Sequence, residues 1–170
     1  MKHQHYHIYR FPDHHAINSR IVRCFYDQRN NEQTRNSHFF GGRYENIYID
    51  SSLLHGIDEL TTFWRQRAAD ILGLQSKDLR SGFWFNLMAP GDTTTLHSHD
   101  DDDELLSGVY YLEVPASNSG SLVLHVGEKR IEIEPEAGKL VLFAPDCLHE
   151  VTENRSNQSR LSIGINFGPS

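Results

Sequence analysis

Residues 107–134, SGVYYLEVPASNSGSLVLHVGEKRIEIE, decide the fold. The stretch opens on a strongly β-forming run, 107–114, rich in Val and Tyr. Asn118, Ser119 and Gly120 supply a turn, and the chain is apolar again over 121–126. Gly127 and Glu128 close a hairpin into 129–134, where isoleucines alternate with charges. That alternation is the period of a strand with one buried face. The same texture continues outward. Upstream, 82–88 is aromatic and apolar, Ala89-Pro90-Gly91-Asp92 is a turn, and 93–99 suits an extended chain. Downstream, 139–143 is continuously apolar and 160–167 alternates. Short, evenly spaced strands separated by turn residues predict a sandwich or barrel.

Residues 1–80 differ. They are polar and irregular, with one clear helix predicted over 58–72. Leu60, Phe63, Trp64, Ala68, Ile71 and Leu72 recur at three- and four-residue intervals and so share one face. Asp58 suits the N-cap, and Gly73 the position after the last turn. A strand is expected over 44–49 and a polar loop over 27–37. His3, Tyr6, Ile8 and Tyr9 fit a peripheral strand or arm. The expected architecture is one mainly β domain over 1–170. Its barrel spans about 82–168, and the strand and helix of 1–80 support it.

Composition excludes several classes. The 170 residues are 23% charged and 38% hydrophobic, as in globular proteins, and carry a formal net charge of −7. Non-specific nucleic-acid binding needs a basic surface and is not expected. A cationic substrate remains compatible. Two cysteines, Cys24 and Cys147, make no disulfide framework, so a reducing cytoplasm is the expected location. No apolar run approaches membrane-spanning length, and the N-terminus does not read as a signal peptide.

The chemistry concentrates in His97-Ser98-His99-Asp100-Asp101, in His149-Glu150-Val151 and in Arg160. Residues i and i+2 of a strand point to one face. His97 and His99 can therefore converge on a metal, and so can His99 and Asp101. His149 follows an apolar strand, a suitable source for a ligand from elsewhere in the sheet. Two histidines and a carboxylate leave open positions, which suits Fe(II) and O2 chemistry, whereas structural zinc would close a four-ligand site.

These pieces resemble the 2-oxoglutarate/Fe(II)-dependent dioxygenase superfamily. They are most similar to a small family of oxygenases with an HxH … SGvYYl … H … R pattern. The chain reads PGDTTTLHSH, SGVYYLEVP, GKLVLFAPDCLHEV and RLSIGINF in that order, over about residues 82–168. The resemblance implies a double-stranded β-helix of the jelly-roll or cupin kind, holding Fe(II) at the histidines and 2-oxoglutarate as co-substrate. It implies C–H hydroxylation with release of succinate and CO2, and no catalytic residue beyond the metal ligands. Arg160 matches the residue that pairs with the distal carboxylate of 2-oxoglutarate, where a planar guanidinium makes two parallel charge-assisted bonds. Tyr111 matches a tyrosine that donates to the same carboxylate, and a core role suits it as well. Asn86 and Asn166 are weaker candidates for polar lining of the pocket, and Ser162 shares the strand face of Arg160.

The acidic run leaves two registers open. Counting from Pro90-Gly91, the motif falls on His97 and His99; counting back from Ser107-Gly108, it falls on His99 and Asp101. His99 and His149 are ligands in both. Asp101 is slightly favoured over His97 as the third, because a carboxylate offsets the metal's charge. The rest of 100–104 reads as a solvated loop. His55 and His125 read as structural or surface residues, and His38 as a residue at a pocket mouth. Two other classes compete: a cupin-like metalloprotein without 2-oxoglutarate, and a non-catalytic metal-binding barrel. Arg160 has no necessary role in the first. The substrate class is a small molecule or peptide, and a homodimer through the N-terminal arm is one option for assembly.

Overall fold

The computed structural model describes residues 5–99 and 103–170. In chain order the elements are β1 (Tyr6–Arg10), α1 (His14–Gln28), β2 (Arg35–Phe40), β3 (Arg43–Tyr48) and α2 (Ile57–Leu72), followed by β4 (Leu79–Met88) and β5 (Thr94–His97). Then come β6 (Leu106–Glu113), β7 (Leu122–Val126), β8 (Lys129–Ile133), β9 (Lys139–Phe143), β10 (Leu148–Val151) and β11 (Arg160–Pro169). A seven-stranded sheet runs β1-β9-β6-β11-β4-β3-β2, and a four-stranded sheet runs β5-β10-β7-β8. Successive strands cross from one sheet to the other six times, at β4 to β5, β5 to β6, β6 to β7, β8 to β9, β9 to β10 and β10 to β11. The result is a double-stranded β-helix with two helices outside it; the strand pattern predicts a sandwich or barrel, and the family resemblance implies this form of it.

The longest pairing, β11 with β4, shows why this sequence takes this form. Arg160 lies opposite Met88, and the ladder continues to Pro169 opposite Leu79. Along β11, Leu161, Ile163, Ile165 and Phe167 are fully buried in one apolar cluster with Ile21 and Phe25 of α1 and Leu60 and Trp64 of α2. The alternate residues Arg160, Ser162, Gly164 and Asn166 line a cavity between the sheets. Each fully buried aliphatic side chain contributes about 1.5–3 kcal/mol. The helix-facing set therefore fixes the register, because a one-residue slip would exchange the two faces.

Helix α2 matches the expected span, and Gly73 ends it in the left-handed region at φ 67. Its cap differs: Gly56 is the N-cap, and Asp58 lies inside the first turn, where its charge favours the helix dipole. Helix α1 was not expected, since residues 1–80 were read as holding one helix. It buries Ile17, Asn18, Ile21 and Phe25, a narrow stripe in an otherwise polar segment. Asn18 binds it to the sheet: its amide donates to the carbonyls of Tyr111 (3.3 Å) and Leu112 (3.0 Å), and it accepts from the Tyr110 hydroxyl at 2.8 Å. The segment expected as a loop over 27–37 is shorter, because α1 reaches Gln28 and β2 starts at Arg35. The N-terminal segment is an edge strand of the chain's own sheet, with Tyr6 opposite Phe143. No helix among the described residues is long and apolar enough to cross a membrane.

Candidate metal and 2-oxoglutarate site

Two strands of the smaller sheet bring the histidines together. His97 ends β5 and lies directly opposite His149 on β10. His99 follows two residues later, its backbone N–H donating to the Pro145 carbonyl at 2.8 Å. Ring centroids are 4.2 Å apart for His97 and His149, 4.9 Å for His97 and His99, and 5.1 Å for His99 and His149. One ligand atom from each of the three lies within 4.8 Å of the others, so the set can hold a metal ion.

The backbone sets two of the tautomers. His149 Nδ1 is 2.9 Å from the Cys147 carbonyl, and His97 Nδ1 is 2.7 Å from the Thr95 carbonyl. A carbonyl only accepts, so each Nδ1 carries the hydrogen and each Nε2 keeps its lone pair for a metal. This is the outer-shell arrangement that orients metal-binding histidines. His149 is 5% exposed. Burial, then the neighbouring His97 and His99, push its pKa down to about 3, against a weaker opposing bond to Cys147. It is a neutral imidazole at ordinary pH. Phe143 packs on its ring at 4.8 Å, and Trp84 lies 5.5 Å from His99. Gly164 makes room for Trp84, since a Cβ there would fall 2.4–2.6 Å from the indole.

At the other end of the cavity is Arg160, 1% exposed. Its Nη1 donates to the Gly120 carbonyl at 2.7 Å and the Ser119 carbonyl at 3.4 Å. Its Nη2 is 2.8 Å from Met88 Sδ, a weak acceptor, and its Nε has no partner. The guanidinium lies 5.6 Å from the centroid of the Tyr111 ring. Gly120 is specific to this clamp: its φ is +89, and a Cβ would fall 2.4 Å from the Thr152 carbonyl. Burial lowers the pKa of Arg160, and Arg43 adds to the effect, against Tyr111, which raises it. Among the described residues no carboxylate pairs with this cation. A buried charge with an orphaned donor calls for an anion to complete it. The distal carboxylate of 2-oxoglutarate is an anion that would fit there, and imidazole nitrogens are donors that suit Fe(II).

A single cavity of about 560 Å3 joins the two ends. His97, His99, His149, Arg160, Tyr111, Asn86, Ser162 and Asn166 all line it. Asp101 lies outside the described residues. The Asn86 side-chain carbonyl accepts from Arg43 at 3.2 Å, and burial raises the Tyr111 phenol pKa, against Arg160, which lowers it. His38 lines the mouth as expected, held at φ 57 with Ser37 Oγ at 2.8 Å. His125 pairs with Glu150 at 3.0 Å and does not line the cavity. The lining residues that the sequence reading misses include Trp84, Glu45 and Glu104. Trp84 was legible, since it shares the parity of Asn86 along β4. Glu104 was read as part of a solvated loop, but it faces the cavity.

Comparison with known proteins shows the family and the fold. A family model described as the 2OG-Fe(II) oxygenase superfamily matches residues 83–168. No curated protein matches the chain in sequence. Among solved structures, a prolyl-4-hydroxylase from Pseudomonas putida is similar at 20% identity and a TM-score of 0.74, over 99% of this chain and 89% of that one. A Trichoplax adhaerens prolyl hydroxylase, in complex with a hypoxia inducible factor peptide fragment, is similar at 15% identity and a TM-score of 0.75, over 98% and 84%. A non-heme α-ketoglutarate dependent epimerase from nogalamycin biosynthesis is similar at 15% identity and a TM-score of 0.76, over 97% and 78%. Identities this low carry the fold; the family model, which spans half the chain, carries the assignment. The chain belongs to the 2OG-Fe(II) oxygenase superfamily, whose cofactor is Fe(II) and whose co-substrate is 2-oxoglutarate.

Proposed function

We propose that the protein is a 2-oxoglutarate-dependent dioxygenase that hydroxylates a C–H bond of a small-molecule or peptide substrate, with His97, His99 and His149 as the iron ligands. The observation that carries this reading is Arg160, a buried cation without a carboxylate partner among the described residues, in the same cavity as three converging histidines. The His97–His149 pairing across β5 and β10 favours His97 over Asp101 as the third ligand, because it sets His97 beside the distal histidine.

When bound, Fe(II) and 2-oxoglutarate activate O2, with 2-oxoglutarate leaving as succinate and CO2 and one oxygen atom passing to the substrate. The protein's part is binding and orientation. Arg160 anchors the distal carboxylate, and the carbonyls of Ser119 and Gly120 keep its guanidinium aimed into the cavity. Tyr111 closes that end with a buried ring. Cys147 and Thr95 hold two imidazoles in the ligating tautomer. Asn86 and Ser162 supply polar wall beside the co-substrate. A cupin-like site without 2-oxoglutarate gives Arg160 no anion to bind.

The test is anaerobic addition of Fe(II) and 2-oxoglutarate. A weak visible charge-transfer band should appear only with both, and admission of O2 should then release succinate. Arg160→Ala should lose the band at 2-oxoglutarate concentrations that saturate the wild type. Metal binding with no band in the wild-type protein would overturn the proposal.

A further inference from the structure

Among the described residues two carboxylates line the cavity, and they differ in what faces them. Glu45 on β3 is 7% exposed, and its Oε1 accepts no hydrogen bond, but Arg43 lies 3.6 Å away and supplies a counter-charge. Glu104, in the segment leading into β6, has a buried Oε2 with no hydrogen bond, and no cation pairs with it among the described residues. Its neighbours hold it in this pose. Asp103 pairs with Arg80 on the outer surface, and the Leu105 backbone N–H donates to the Phe167 carbonyl at 2.7 Å. Glu104, between these two tethered residues, lines the cavity.

Position gives this orphaned carboxylate a meaning. The Leu105–Phe167 bond sets Glu104 at the Asn166 end of the cavity. Arg160 is at the opposite end, six residues earlier on the same face of β11, or roughly 20 Å at about 3.3 Å per residue. Trp84, laid over Gly164 and beside His99, lies between them. Arg160 is the single Arg or Lys among the lining residues, so the Glu104 end holds no lining cation. A carboxylate that lacks a partner among the described residues, in a cavity that an indole also lines, is an environment that favours a cation.

We propose that the substrate carries a protonated amine or guanidinium on an alkyl chain, and that Glu104 binds this cation at the end of the cavity away from Arg160. The proposal rests on the dioxygenase reading, because it places the co-substrate at Arg160 and the substrate across the histidines from it. Glu104 thereby selects the substrate by charge and sets which carbon of the chain faces the histidines.

The test uses the full-length protein with Fe(II) and 2-oxoglutarate under anaerobic conditions. The probes are n-pentylamine against n-pentanol, and blocked lysine against blocked norleucine; the second pair distinguishes a peptide source of the amine from a free one. Binding is read by calorimetry and by the shift of the charge-transfer band. At least one amine should bind about tenfold or more tightly than its neutral isostere, as expected for a desolvated charge-assisted bond. The preference should vanish in Glu104→Gln and persist in part in Glu104→Asp. Equal affinity of amine and isostere in the wild type, binding of neither, or a preference that survives Glu104→Gln overturns the proposal. Absence of the band in the wild type would instead count against the dioxygenase reading, so the two failures are distinguishable.

Discussion

Along β11, Leu161, Ile163, Ile165 and Phe167 lie in the apolar cluster that includes α1 and α2, while Arg160, Ser162, Gly164 and Asn166 face the cavity. One strand serves two regions through the pleat alone. On the helix side every position is apolar and fully buried. On the cavity side a buried arginine has no carboxylate partner among the described residues, and Gly164 leaves room for the Trp84 indole. The difference teaches that packing and chemistry are separable here residue by residue, and substitutions one position apart should separate them.

The largest effect belongs to the helix side. Ile163→Ala should lower unfolding free energy by about 2–5 kcal/mol, the range for truncating a buried aliphatic side chain. Urea denaturation measures it, and the KM for 2-oxoglutarate in the folded fraction should be unchanged. A raised KM would show that the two faces are coupled. On the cavity side, Arg160→Ala should raise the KM for 2-oxoglutarate roughly 10–100-fold, the worth of a charge-assisted hydrogen bond, with iron stoichiometry intact. Steady-state succinate formation checks this.

The third contrast is pH. His149 titrates near 3 in the folded protein, below the usual histidine value of 6.5. Between these values the unfolded chain binds a proton at this residue that the folded protein does not. Metal-free stability should therefore fall as pH drops from about 6.5 toward 3, by up to about 1.4 kcal/mol per pH unit from this residue. Denaturation midpoints of wild type and His149→Ala across that window isolate the contribution. Parallel pH profiles would contradict it. The smallest effect is at Ser162, whose hydroxyl lines the cavity beside the co-substrate end. Ser162→Ala should change stability by less than about 0.5 kcal/mol and raise the 2-oxoglutarate KM only a few-fold.

Most strands and α2 are legible through local periodicity, and the convergence of His97 and His99 through their spacing along one strand; β2 is not, because its first residues read as part of a polar loop. Helix α1 was not, because Ile17, Ile21 and Phe25 make a thin stripe in a polar segment that is helical through its contacts with the sheet. The cap of α2 moved from Asp58 to Gly56 because backbone geometry, which sequence alone does not show, decides where the helix starts. The proposal of His97 as the third ligand rests on its place opposite His149. That is an inter-strand register, and the acidic run obscured it. Glu104 was hidden in that run for the same reason: its inward direction depends on Arg80 and Phe167, both far away in sequence.

The central claim, a metal site of three histidines, is tested most directly by iron stoichiometry in two single variants, His97→Ala and Asp101→Ala, measured anaerobically beside the wild type. The account predicts that His97→Ala loses iron while Asp101→Ala retains one equivalent. Loss of iron in Asp101→Ala with retention in His97→Ala would contradict it and make Asp101 the third ligand.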